Sequence, residues 1–219
     1  MTQGLSDGQE VSFYKHVNPW IHNVEARISG DGKYRIYFSA DESPTGCRIY
    51  YLDHQKKPVP YHTYHGDDLV LPDPCFPGEP FWWSGWRGDF CFDDDKNLYL
   101  STGATIPAGI FRVKNAGLDK VTGSPERIYW TFANSIEGLA YESPDTLYFI
   151  SGSLTGEPKI FSLDLNTLKQ TLVYASPYVT GDPQTSEAIY DVAVVPGLVS
   201  LVSGITTVQP PFEIHLPPP

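Results

Sequence analysis

The sequence predicts an all-β fold, and within that class a four-bladed β-propeller. Three observations carry the prediction. A hairpin unit recurs four times: Val24–Ala40, Gly88–Gly103, Ile136–Ser153 and Tyr190–Gly204. Each unit has an acid near the start of its first strand (Glu25, Asp89, Glu137, Asp191) and a serine near the end of its second (Ser39, Ser101, Ser151, Ser203). No stretch shows a sustained 3.6-residue apolar period, so helix is not expected.

Ile136–Ser153, IEGLAYESPDTLYFISGS, shows the unit most clearly: strand, turn at Ser143-Pro144-Asp145, strand. From acid to serine the four units span 14, 12, 14 and 12 residues, a spacing regular enough to mark a repeat. The first unit turns at Gly30-Asp31-Gly32, a strong hairpin signal. Third strands follow at Arg48–Asp53, Gly109–Lys114, Lys159–Asp164 and Phe212–Leu216. Fourth strands follow at Val59–Tyr64, Arg127–Phe132 and Gln170–Ala175, and the last unit has none. Val11–His16, a lone alternating strand, has no hairpin partner of its own. The expectation is that this N-terminal strand completes the last blade and closes the ring. An open sandwich of hairpins is the competing arrangement.

The 219 residues fit one domain, 1–219, with a real core. One insertion interrupts the repeat: residues 66–87, GDDLVLPDPCFPGEPFWWSGWR, have four prolines and no period. Loops of that length are functional or disordered, and five aromatics argue against disorder here. The insertion re-enters the repeat at Trp86-Arg87-Gly88, so its end lies on the acid-bearing face. It is expected as a Trp-rich lid over the channel face; a hydrophobic plug on the outside of the first two blades is the alternative.

Lys plus Arg number 15 against 26 Asp plus Glu, a net charge of −11, which disfavours nucleic acid and anionic membrane surfaces as partners. Simple solubility explains the charge as well. Three cysteines, Cys47, Cys75 and Cys91, make neither a disulfide framework nor a zinc motif. The opening MTQGLSDGQE lacks the apolar region of a secretory signal, and no apolar run has the length of a membrane helix. Both observations point to a cytoplasmic protein.

The third unit, EGLAYESPDTLYFISG followed by KIFSLDLNT, resembles a blade of the gluconolactonase-like propellers. That family has six blades, and its first strands donate acids and asparagines to a central calcium or other divalent cation. The resemblance implies a metal-binding role for Glu137, and by repeat position for Asp89, Asp191 and Glu25. It also implies lactone or ester hydrolysis. This chain departs from the family in having four apparent blades and acids where the family has asparagines. Its blade number is similar to that of the hemopexin-type propellers, whose channel also holds ions. Blade likeness is shared by unrelated activities and says little of function.

In a propeller the first strands line the channel, so a position repeated in each forms a ring. Two carboxylates about 5 Å apart repel by roughly 3 kcal/mol at an effective dielectric near 20. Glu25, Asp89, Glu137 and Asp191 would therefore need a cation among them or shared protons. Oxygen ligands select hard ions, calcium first and magnesium or manganese next. The same acids could instead bond backbone amides between blades.

Residues just before the acids are expected at the channel opening. His22 is the candidate general base, because imidazole titrates near neutral pH; packing against Trp20 is the plainer role. Arg87 could polarise a carbonyl or neutralise the acids. Asn23, Asn134 and Tyr190 are candidate substrate contacts, with Trp82, Trp83 and Trp86 as stacking surfaces. The serines are expected to bond turns and backbone, since no base adjoins them. His62 and His65 near Asp67 and Asp68 read as a solvated outer edge, and Asp93–Asn97 as a solvated turn lacking an EF-hand's spacing.

These readings favour a small-molecule enzyme with a divalent cation in the channel, a lactone or ester hydrolase or a biosynthetic cyclase or isomerase. A lectin-like binding propeller with a structural cation is the alternative, and a protein-binding scaffold a third. Lectin-like propellers tend to repeat their aromatics in every blade. Here the tryptophans gather in one insertion and at Trp20, which favours a single site.

Overall fold

The computed structural model describes residues 21–28, 34–41, 47–52, 58–63, 89–101, 108–117, 121, 123, 125–131, 136–151, 158–176, 187–195, 198–205 and 213–215. Among them there is no helix, and the chain is all-β. The first sheet holds β1 (Ile21–Ile28), β2 (Tyr34–Asp41), β3 (Cys47–Leu52) and β4 (Pro58–Thr63). The second holds β5 (Phe90–Phe92), β6 (Leu98–Ser101), β7 (Ala108–Val113) and β8 (Pro125–Thr131). The third holds β9 (Ile136–Glu142), β10 (Thr146–Ser151), β11 (Lys159–Asp164) and β12 (Gln170–Ala175). The fourth holds β13 (Glu187–Val195), β14 (Leu198–Ile205) and β15 (Glu213–His215).

Strand order within each sheet follows the chain, and every pairing is antiparallel. Each sheet is therefore a meander whose strands pair with their immediate predecessors. The expected third and fourth strands lie where the alternation places them, with ends moved by at most two residues. Val11–His16 and the 66–87 insertion lie outside the described residues.

Alternation along the strands explains how the sheets stack. Successive side chains point to opposite faces. In the second sheet Phe90, Phe92, Leu98, Leu100, Phe111 and Val113 join Tyr37 and Ile49 of the first sheet in one core. The residues between them, Cys91, Tyr99 and Ile110, pack with Leu139, Leu147, Phe149 and Leu163 of the third sheet. The third sheet's other face sets Ala140, Tyr148, Ile150 and Ile160 against Val192 of the fourth. The middle sheets are thus apolar on both faces, which is why FCF, LYL and LYFI read as nearly continuous apolar runs. On the first sheet, Phe38, Tyr50 and Leu52 are buried in a cluster of their own. Aromatic contacts reinforce these layers: Tyr37 lies 5.1 Å from Phe92 across the first seam, and Tyr129 lies 5.0 Å from Phe149 across the second.

The seams are made by the first strands. β1 adjoins β5, β5 adjoins β9 and β9 adjoins β13. This succession brings together the strands that carry the sequence's acids.

Candidate functional site

The serine ending each second strand gives a reference position within its own hairpin. Ser39 pairs with Asn23, Ser151 with Ile136 and Ser203 with Ile189. Ser101 bonds Asp89 through its backbone amide, 2.9 Å from the Asp89 carbonyl. Counted from that serine within each hairpin, the four acids do not share one offset. Asp89 stands at its serine. Glu137 and Asp191 lie one pairing step along, since Glu137 and Gly138 share the place opposite Ile150 and Asp191 pairs with Val202. Glu25 lies two steps along, opposite Tyr37. The residue of β1 at the same offset as Asp89 in its hairpin is Asn23. The acids of the expected four-acid ring are thus staggered when counted within their own hairpins, with Glu137 and Asp191 at the same offset. Aligning the units on their acids hides the stagger, because β-bulges shift the count.

Three of the four first strands bulge at this end. In β1, Ile21 pairs with Ala40 and Asn23 with Ser39, which leaves His22 between them. In β9, Glu137 and Gly138 face one residue. In β13, Tyr190 falls between the paired Ile189 and Asp191. His22, Asn23 and Tyr190 therefore belong to strands β1 and β13. A glycine inside a strand pattern signals a bulge, and Gly138 is that signal for β9.

Asp89 is 7 % exposed, and both its carboxylate oxygens accept backbone N–H groups. Oδ1 accepts from Phe90 at 2.7 Å, and Oδ2 accepts from Leu139 of the neighbouring sheet at 2.7 Å. Ser101, fully buried, completes the tie. Its Oγ accepts the Asp89 amide at 2.8 Å and donates to the Glu137 carbonyl at 2.9 Å. The pair thus holds both ends of the β9 bulge, a carbonyl at Glu137 and an amide at Leu139. For Asp89 this is the amide bonding between neighbouring sheets that the sequence left open as an alternative for the acids, and for Ser101 the backbone role expected of the serines.

Glu137 is 2 % exposed, a buried carboxylate beside this tie. Glu25 is partly buried. Its charge acts on Cys91, whose thiol is held well above its usual range, first by burial and then by Glu25, Asp89 and Asp93. A thiol held protonated is a poor nucleophile and a poor metal ligand, so Cys91 is a core residue.

Among the described residues, no three His, Cys, Asp or Glu side chains gather closely enough to hold a metal ion. Glu25, Asp89 and Glu137 are thus not a cage by themselves, which accords with the amides on Asp89. The side chains of Asp191, His22, Asn23 and Tyr190 lie outside the described set, as do Arg87, Asn134, Trp82, Trp83 and Trp86 altogether.

The acidic turn after β5 is built on one carboxylate. Asp93 Oδ1 accepts the Asn97 amide at 2.8 Å, and Oδ2 accepts from Asn97 Nδ2 at 2.6 Å and from the Tyr99 hydroxyl at 2.9 Å. Lys96, at φ 67°, takes the left-handed position that closes the turn. Burial and this bond to Asp93 raise the Tyr99 phenol well above its usual range. Asp94 and Asp95 remain exposed, so the solvated turn expected from the sequence holds for them, while Asp93 is a partly buried hairpin brace.

Among the described residues, no helix is long and apolar enough to cross a membrane. Compared with known proteins, the sequence matches no family model and no curated protein.

Proposed function

We propose that the four sheets close into a four-bladed propeller and that the chain is a small-molecule enzyme. In this reading Val11–His16 completes the fourth sheet, and the burial of Phe38, Tyr50 and Leu52 on the first sheet supports closure. The site lies at the serine end of the first strands, under the Trp-rich segment 66–87. A hard divalent cation, calcium first and magnesium or manganese next, is held by Glu137 and Asp191, with Asn23 or Glu25 from β1. Asp89 is committed to the neighbouring sheet and leaves the ligand set. When bound, the ion would polarise a carbonyl or ester oxygen of the substrate. In this reading His22 would exchange a proton, Arg87 would hold developing negative charge, and Asn134, Tyr190, Trp82, Trp83 and Trp86 would hold the substrate. Hydrolysis of a lactone or ester is the reaction this set serves best, with cyclisation or isomerisation by the same groups next. The substrate is neutral or cationic, in keeping with the net charge of −11.

The observation that carries the reading is that Glu137 and Asp191 have the same offset from the serines of their own hairpins and lie on adjoining strands, β9 and β13. The test is the metal content of the purified protein, its melting point with and without chelator, and a lactone and ester screen. Stoichiometric calcium, lost together with activity in Glu137→Gln and Asp191→Asn, supports it. A metal-free protein indifferent to both substitutions sinks it. The engagement of Asp89 favours a second reading, a ligand-binding module in which the acids serve structure. A metal-free protein that still binds sugars through the Trp-rich segment would favour that one.

A further inference from the structure

We draw no further inference here: the strongest candidate, the outer edge of the third sheet, where the uncharged, proline-free strand β12 leaves Leu172 exposed opposite Phe161, is interrupted by the bulge at Val173, and nothing in the structure shows what covers it.

Discussion

Replacing Asp89 by alanine removes the acceptor for two buried amides at once, those of Phe90 and Leu139. Each is a hydrogen bond to a carboxylate, worth about 1.5–2 kcal/mol, so the loss is about 3–4 kcal/mol. Desolvation of the buried carboxylate lowers the net value, and the N–H groups left without an acceptor raise it. For a chain of this size each kcal/mol moves the melting point by about 3 °C, so Asp89→Ala should melt about 10 °C lower. The assay is urea unfolding followed by tryptophan fluorescence, with thermal scans beside it, each run with and without chelator. A sheet-to-sheet tie loses the same stability in both conditions. The double variant with Ser101→Ala should fall short of the sum, because both residues hold the same bulge. A loss under about 1 kcal/mol, or one that appears only with metal present, refutes the reasoning.

Four further outcomes follow from single features. Phe149, fully buried between the second and third sheets, should cost about 3–5 kcal/mol when cut to alanine, measured by urea unfolding. Leu168 sits exposed at φ 56°, so Leu168→Gly should stabilise by about 0.5–1 kcal/mol: relief of left-handed strain exceeds glycine's entropy cost. Asp164 accepts the Asn166 and Thr167 amides, and the Thr167 bond above all lowers its carboxyl below the usual range. A depressed carboxylate contributes stability above its unfolded value and loses it as pH falls through the folded one. The gap between wild type and Asp164→Ala should therefore close on acidification, as read from melting points across pH. With Cys47 and Cys75 replaced by serine, Cys91 should resist a thiol reagent in mildly alkaline buffer and react on unfolding; reaction in the folded state would contradict its burial.

The strands were legible because their signals are local. Apolar alternation in TLYFIS and KIFSLD, with turn residues between, needs no knowledge of the neighbours. The repeat unit was legible for the same reason. The level of each acid was not, because a bulge changes pairing by one residue without changing composition. Val24–Ala40 and Ile136–Ser153 count alike from acid to serine, yet Glu25 and Glu137 stand at different steps. Gly138 was the one residue that could have betrayed the shift. The role of Asp89 was open in the sequence for a deeper reason. A carboxylate that holds an ion and one that holds two amides differ only in what faces them, and Leu139 lies 50 residues away.

That separation also bears on the order in which the molecule assembles. Every sheet grows by adding a strand to its predecessor, so its pairings close short loops and form quickly. The Asp93 brace spans four residues and can form with its hairpin, whereas the Asp89–Leu139 bond must wait until two finished meanders meet. Docking of the sheets is then the late event of folding. Contacts made after the transition state govern how fast the native state opens. Breaking the seam should therefore hasten unfolding while refolding keeps its pace, and breaking the Asp93 turn should slow refolding instead. The tie between β5 and β9 acts on this account as a kinetic latch, setting the lifetime of the assembled sheets more than the speed of their making.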